Sequence, residues 1–551
     1  MSSGTTLAAS SASALIARLH DPDAYPHEVA RIECVQTHIS WVLLTGSYAY
    51  KIKKPVDMGF LDFSTLRLRH EACLAELRLN SRLAAQLYID IVPIVGPVES
   101  AKVGGSGEPV EYAVRMHQFE QADQLDRLLE AGKISTADIT RVAQRIARSH
   151  DEATSAGIES DYGAPGAIRQ PMEATLRTLD ALLTDAEQRQ ALERLSDWSR
   201  DCFRRLEATF ARRRQEGFVR ECHGDLHMGN LVRHGDDIVP FDCIEFSAEL
   251  RWIDVVSDMG FLMMDLLYRA RPEFAFQLIN SYLELRGDYA GVAVLRYYLV
   301  YRALVRTMVA LLRRQQFERQ GLPALAIRED ADSHLRLAFQ LTDPPSPLLF
   351  LMHGFSGSGK TFVSSKLLQH WPAIRVRSDV ERKRLLGVGA SQTTRSGLGA
   401  DAYSQDVSEA TYQRLLDAAA SALQEGFSAI VDATSLLRSQ RQRFRDLAAI
   451  HGVRFVIIDC VAPVPELRRR LRERFARGSD ASEADEAVLE EQLKHAEPLN
   501  SAEQTSVVTV PPGLAGDTEA LVDACHGCLA RCPSSTPPRD ALPQDDLRDP
   551  L

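Results

Sequence analysis

An α+β domain followed by an α/β domain with a parallel sheet is the architecture this chain predicts, and three observations carry that expectation. "GFSGSGKT", residues 354–361, follows an apolar strand and opens a helix, and beyond it strands and helices alternate. "CHGDLHMGNLV", residues 222–232, sets strand–loop–strand character between long helical stretches. Between the two, "LTDPPSPLLF" places three prolines within four residues, which marks a linker. At 551 residues the chain also exceeds the size at which one core keeps growing.

Composition narrows the class. Apolar residues at 45% and charged residues at 25% fit a globular protein. A net charge of −11 argues against a general grip on long nucleic acid, which needs basic grooves to displace counterions. Nine cysteines without a disulfide framework favour a reducing cytoplasm. The N-terminus has no basic stretch followed by a long apolar core, and no apolar run reaches the ~18 residues of a spanning helix, so neither a signal peptide nor a membrane span is expected.

In chain order, residues 1–28 are Ser/Ala/Thr-rich at the start and expected to be poorly ordered. The first domain is placed at 29–341. It opens with "HISWVLLTGSYAYKIKK", a hairpin turning at "TGS", followed by a helix over "STLRLRHEACLAELRLN" and two strands, "DIVPIVGPV" and "VEYAVRMHQF". "ADITRVAQRIARSHDEA" is an amphipathic helix. A linker at 342–347 leads to a second domain at 348–532, with strands at "PLLFLMHG", "AIRVRSD", "SAIVDAT" and "VRFVIIDCV", a rhythm that implies a parallel sheet. Residues 533–551 form a Pro- and Asp-rich tail.

The loop "GFSGSGKT" matches G-x-x-x-x-G-K-[ST] at every fixed position and sits between strand and helix. Gly354, Phe355, Ser356, Gly357, Ser358 and Gly359 supply backbone N–H groups to phosphates. Lys360 reaches the outer phosphates and the Thr361 hydroxyl holds Mg²⁺. The next strand ends in "RVRSDVER", so Asp379 stands where an acid can take a proton from an attacking hydroxyl, with Arg382 beside it to steer anions. Asp432, at another strand end, is a candidate for Mg²⁺ or its waters. Arg474 and Arg477, in the arginine-rich "ELRRRLRERFARG", are candidates for neutralising a transferring phosphoryl group. This half resembles the P-loop kinases of small hydroxyl compounds and of polynucleotide 5′ ends, a P-loop NTPase fold.

In "HGDLHMGN", Asp225 and Asn230 lie five apart, and Asp242 follows the next short strand. An acid for the hydroxyl proton, an amide oxygen for Mg²⁺ and a second acid bridging the metal to phosphates make one metal-phosphate site. His227 reads as an ordinary surface residue. H-G-D with Asn at plus five resembles the aminoglycoside phosphotransferase and choline kinase branch of the protein-kinase-like fold. That resemblance implies a strand lysine, Lys51 or Lys53, paired with a helix glutamate, Glu76 or Glu71, over the nucleotide phosphates. It also implies adenine-facing backbone near Met116, and His223, Asp254 and Asp258 as supports of the loop. No G-x-G-x-x-G covers the nucleotide, and the activation segment of protein kinases is absent, which disfavours protein substrates.

Taken whole, the chain resembles bacterial fusions of an aminoglycoside phosphotransferase-like domain with a C-terminal ATP-binding domain. The expectation is an ATP- and Mg²⁺-dependent phosphotransferase with two centres acting on small hydroxyl acceptors. The alternatives are a P-loop half that regulates the first domain, or one that acts on nucleic-acid 5′ ends. "CHGCLARC", residues 525–532, has spacings that favour buried thiols on one helix face over a metal site.

Overall fold

The computed structural model describes residues 9–57, 59, 61–388, 404–477 and 484–531, with side chains throughout except at 9, 10 and 475–477. These divide into two compact units, Met1–Leu266 with Tyr301–Ala331, and Leu267–Val300 with Asp332–Leu551.

The first unit opens with helix α1 (Ala9–Arg18) and an antiparallel sheet of six strands in the order β1-β2-β3-β6-β4-β5. Its strands are β1 (Glu33–Gln36), β2 (Ser40–Leu44), β3 (Tyr48–Lys53), β4 (Tyr88–Val95), β5 (Lys102–Val103) and β6 (Pro109–His117). The β2–β3 hairpin turns at "TGS" as expected, with Gly46 at φ 97° and the Thr45 N–H donating to Tyr48 O at 2.9 Å. Strand alternation sends Lys51 and Lys53 to one face and Tyr50 to the other. On the Tyr50 face, residues expected to be poorly ordered are instead structured. Leu15 of α1 and Leu19, just past its end, are buried with Tyr25, Leu43 and Ile94. A Ser/Ala-rich composition hid that short apolar stripe.

Helix α2 (Leu66–Leu83) starts at Thr65, whose hydroxyl accepts the Leu68 N–H, and buries Glu76 and Asn80 toward the lysine face. Then come α3 (Leu125–Glu130), α4 (Thr136–Glu152, begun by a Ser135–Asp138 capping box), α5 (Pro165–Leu182) and α6 (Ala186–Gln215). Two small ribbons follow. β7 (Val219–Glu221) pairs with β10 (Trp252–Asp254), and β8 (Leu231–His234) with β9 (Asp237–Pro240), so the loops at 222–230 and 241–251 run between fixed ends. Helix α7 (Val255–Tyr268) is buried from Val255 to Leu266.

Next along the chain are α8 (Pro272–Arg286), α9 (Val292–Arg319) and α10 (Leu325–Thr342). The second unit is built on five parallel strands in the order β12-β13-β11-β14-β15. These are β11 (Leu348–His353), β12 (Ala373–Arg377), β13 (Ser428–Asp432), β14 (Arg454–Cys460) and β15 (Val507–Val510), the last a short strand that the sequence pattern did not reveal. The helices are α11 (Lys360–His370), α12 (Ser378–Leu385), α13 (Gln405–Gln424), α14 (Arg438–Ile450), α15 (Val464–Arg477), α16 (Glu486–His495), α17 (Pro512–Gly516) and α18 (Thr518–Arg531). Cys525 and Cys528 are buried on α18, while Cys532 lies outside the described residues. Among the described residues, no helix is long and apolar enough to cross a membrane.

Residues 267–300, placed by sequence in the first domain, group with the parallel sheet. The reason lies at the exposed edge of β12. Asn280 of α8 donates to Ala373 O at 2.8 Å and accepts the Arg375 N–H at 2.6 Å, as a neighbouring strand's peptide would. Glu284, one turn on, accepts from Arg375 at 2.7 Å and from Arg377 at 3.3 Å. Asn280→Ala strands a buried N–H and carbonyl, and is expected to lower stability by about 1–3 kcal/mol in denaturant unfolding followed on the second unit. A change within error would show that the edge does not depend on this amide.

Candidate active sites

In the first unit, β3 and α2 meet through charge. Lys51 Nζ donates to Glu76 Oε1 at 2.8 Å and pairs with Asp242; Lys53 Nζ donates to Glu76 Oε2 at 2.5 Å and pairs with Glu245. Both lysines therefore share Glu76, and Lys51 is the one turned toward Asp242. Glu71 is exposed and paired with Arg67 at 2.6 Å, away from both. Burial raises the Glu76 carboxyl, but the two ammonium groups overcome it and hold it at about 2. For Lys51 burial acts downward, and Asp242 and Glu76 push it well above its ordinary value.

Asp242 sits at φ 64°, a left-handed backbone that ordinary residues avoid. Its N–H donates to the Tyr88 hydroxyl at 3.2 Å, and the next N–H, of Cys243, donates to Asn80 Oδ1 at 3.0 Å. A strand and a helix thus hold this residue's unusual backbone in place.

The loop at 222–230 is braced from below. Asp258 of α7 accepts the N–H groups of His223 (3.1 Å) and Gly224 (2.9 Å), and His150 Nε2 lies 3.2 Å away. Gly224 is at φ 86°, and a Cβ there would come within 2.8 Å of Leu250 O, so only glycine fits. His223 supports the backbone behind: Nε2 donates to Phe241 O at 2.8 Å, and Nδ1 accepts the Asp225 N–H at 3.3 Å. Asp254 pairs with Arg213 at 2.7 Å, fixing the start of α7 to α6. On this scaffold Asn230 Nδ2 donates to Asp225 O at 2.9 Å and to Asp225 Oδ2 at 3.1 Å, leaving its amide oxygen for another partner.

His227 is not the surface residue its sequence context suggested. Nδ1 accepts the Gly229 N–H at 3.1 Å, which places the ring proton on Nε2, 3.5 Å from Asp225 Oδ2. Burial acts upward on the Asp225 carboxyl, yet His227, His223 and Arg306 hold it below the usual carboxylate range. Met116, by contrast, lies inside the sheet between Ala49 and Tyr88, and the N–H of His117 donates to Leu87 O at 2.8 Å. The adenine-facing backbone expected near Met116 is therefore taken up by strand pairing.

In the second unit, Gly354 (φ 130°), Gly357 (φ 84°) and Gly359 (φ 97°) bend the loop 354–361 between β11 and α11. A Cβ on Gly354 would collide with the Cys460 carbonyl. Lys360 Nζ donates to Phe355 O at 2.8 Å, curling back over the loop, and burial lowers its pKa. Thr361 is exposed in the first turn of α11. Asp432, at the end of β13, accepts the Ser364 hydroxyl at 3.0 Å, and Arg377 lies 3.9 Å from it. Asp379 and Arg382 pair at 3.0 Å in the first turns of α12. Arg474 donates to Ala484 O at 2.7 Å, and its charge acts on Lys360; the Arg477 side chain lies outside the described residues. No local pattern marks Gln492 in the sequence. This α16 residue accepts the Ser356 N–H at 2.9 Å and donates to Ser356 Oγ at 3.0 Å, pinning the outer flank of the loop.

Two mycobacterial proteins match nearly the whole chain. The uncharacterized proteins Rv2004c of Mycobacterium tuberculosis and Mb2027c of Mycobacterium bovis are each 31% identical over 468 residues, covering 85% of this chain and 91% of theirs. This chain belongs to their family. A model of the phosphotransferase enzyme family matches residues 60–295, and a model of an AAA domain matches residues 349–499. Among solved structures, a choline/ethanolamine kinase family protein from Mesorhizobium loti aligns at 13% identity and TM-score 0.39, covering 61% of this chain and 95% of its own. The APS kinase CysC of Mycobacterium tuberculosis aligns at 19% identity and TM-score 0.23, covering 33% and 99%. The protein is an ATP-dependent phosphotransferase with two kinase-type domains.

In this phosphotransferase, Lys53→Met leaves Glu245 buried without its cation and is expected to cost about 3–5 kcal/mol in chemical denaturation. Adding Glu245→Leu is expected to recover most of it; a double variant no more stable than the single one contradicts the pairing. The Glu76 contribution follows its depressed pKa. It is present above pH 4.5 and lost as pH falls from 4.5 toward 2.

Proposed function

We propose that each domain transfers the γ-phosphoryl group of Mg·ATP to a hydroxyl of a small molecule. The observation that carries this is the convergence in the first unit of Lys51, Glu76 and Asp242 beside the bonded pair Asp225–Asn230. In the first site Lys51, held by Glu76, contacts the α- and β-phosphates, and Asp225 takes the acceptor's proton. His227 and Asn230 both address Oδ2 of Asp225, so Oδ1 is the oxygen that meets the incoming hydroxyl. The acceptor oxygen forms the new bond to phosphorus as the bond to ADP breaks.

The donor sets fit a hard divalent cation, being all oxygen: the Asn230 amide and Asp242 carboxylate in one site, the Thr361 hydroxyl and Asp432 carboxylate in the other. Bound there, Mg²⁺ supplies charge neutralisation across the outer phosphates. In the second site the loop from Gly354 to Gly359 cradles phosphates and Lys360 exchanges the Phe355 carbonyl for them. Asp379 serves as base, with Arg382 and Arg474 as the neutralising cations. The arrangement favours positioning and electrostatics over covalent chemistry.

The test uses the full chain with γ-labelled ATP and a metabolite extract, identifying labelled products by mass. Asp225→Asn and Asp379→Asn should each remove a distinct set of products, with rates falling by roughly 10²–10⁴. Products that persist undiminished in the double variant would refute both assignments. An unchanged product set in Asp379→Asn alone would leave the P-loop half a regulatory module, and labelled oligonucleotide ends would redirect that half to nucleic acid.

A further inference from the structure

Helix α9 carries two arginines one turn apart on the face turned to the catalytic loop. The first, Arg302, is buried and engaged through both terminal nitrogens. It donates to Gly224 O at 3.0 Å and to Ser257 Oγ at 3.2 Å, and its guanidinium lies 4.7 Å from the Phe261 ring centre. The same Phe261 ring meets His227 edge-on at 5.7 Å. Arg302 thereby fixes the rotation and depth of α9 against the loop. The second, Arg306, follows four residues later and so projects from the same face.

Arg306 is half-buried, its charge acts on both Asp225 and His227, and among the described residues it makes no hydrogen bond or ion pair. The other acids here are already engaged. Asp258 holds two loop N–H groups, Asp265 accepts the Met228 N–H at 2.9 Å, and Asp225 Oδ2 faces Asn230 and His227. A guanidinium with five donors, kept beside the base by a rigid helix yet given no partner, is a site for an oxyanion.

We propose that Arg306 binds an anionic group of the acceptor, so that the first site phosphorylates a hydroxy acid or another hydroxyl compound carrying a carboxylate, sulfonate or phosphate. Arg306 stands one turn along α9 from Arg302, which bonds the catalytic loop at Gly224 O, so the anion is held on the α9 side of the reacting hydroxyl. The guanidinium excludes amino alcohols and polyamines by repulsion, which separates this site from acceptors that carry their charge as ammonium. This rests on Asp225 being the base of that site.

The experiment uses full-length Lys360→Ala protein, in which the phosphate loop is disabled, saturated with a non-hydrolysable ATP analogue and Mg²⁺. Binding of glycerate, glycerol and ethanolamine is followed by saturation-transfer NMR. Glycerate is expected to bind best, to be retained by Arg306→Lys, and to weaken roughly 10–100-fold in Arg306→Glu, with ethanolamine gaining there. Glycerol or ethanolamine binding as well as glycerate, glycerate unaffected by Arg306→Glu, or no binding of any of the three overturns the proposal. Glycerate-stimulated ADP release with ATP in place of the analogue gives the separate readout. If Asp225→Asn leaves that release intact, the base assignment fails, whatever Arg306 binds.

Discussion

A single buried carboxylate holding two lysines is the constraint on which the first site depends. Glu76 is enclosed by β3 and α2, and its two oxygens are divided between Lys51 and Lys53. Removing such charges from water costs several kcal/mol each, so the arrangement persists only because every charge meets another. Two ammonium groups face three carboxylates, Glu76, Glu245 and Asp242, leaving one net negative charge. The two sides differ in exposure: the Asp242 side chain, paired with Lys51, is 39% exposed, whereas Glu245, paired with Lys53, is buried. In the proposed site a divalent cation beside Asp242 would release Lys51 for phosphate, whereas Lys53 would stay paired with buried Glu245. On that proposal one lysine is exchangeable and the other structural, although the strand presents them identically.

The backbone around the acids is shaped by the same economy of partners. Asp258 alone satisfies two successive N–H groups of the catalytic loop, and its own position is set by α7, buried from Val255 to Leu266. Gly224 supplies the left-handed turn that Leu250 O would forbid to any side chain. Asp242 adopts a similar backbone without being glycine, a strain of order 1–3 kcal/mol that Tyr88 and Asn80 hold in place by hydrogen bonding. Ser435 in the second unit repeats the pattern at φ 49°, with its N–H on the Tyr412 hydroxyl at 2.9 Å.

What could be read from the chain divides by span. Asp225, Asn230 and Asp242, or Gly354 through Thr361, lie within stretches short enough that local geometry forces them together, so type and spacing betray the chemistry. Partners brought in by tertiary packing leave no such trace. Ser356 and Gln492 are 136 residues apart, and nothing in "EEQLKH" marks its glutamine. His227 reads in sequence as an ordinary surface residue, because only the Gly229 N–H at its far nitrogen decides that its proton faces Asp225. Met116 is a different case. Hydropathy located the strand but not its last residue, and one or two positions separate paired backbone from backbone beyond the sheet. The choice between Lys51 and Lys53 was undecidable in sequence because alternation puts both on one face; Asp242 and Glu245, some 190 residues on, tell them apart.

The two lysines proposed to meet phosphate wait in different ways, and the difference has a physical consequence. Lys360 rests on a neutral carbonyl, Phe355 O, and burial depresses its pKa although Asp432 and Asp379 act in the opposite direction. Lys51 rests between two carboxylates that push its pKa far up. In the proposed second site an incoming phosphate would give Lys360 an anion in place of the Phe355 carbonyl it now contacts. In the proposed first site a phosphate would compete at Lys51 with a carboxylate already in place, and a cation engaging Asp242 would relieve that competition. The proposal thus ties nucleotide binding at the first site to the metal more closely than at the phosphate loop, where Lys360 rests on a carbonyl.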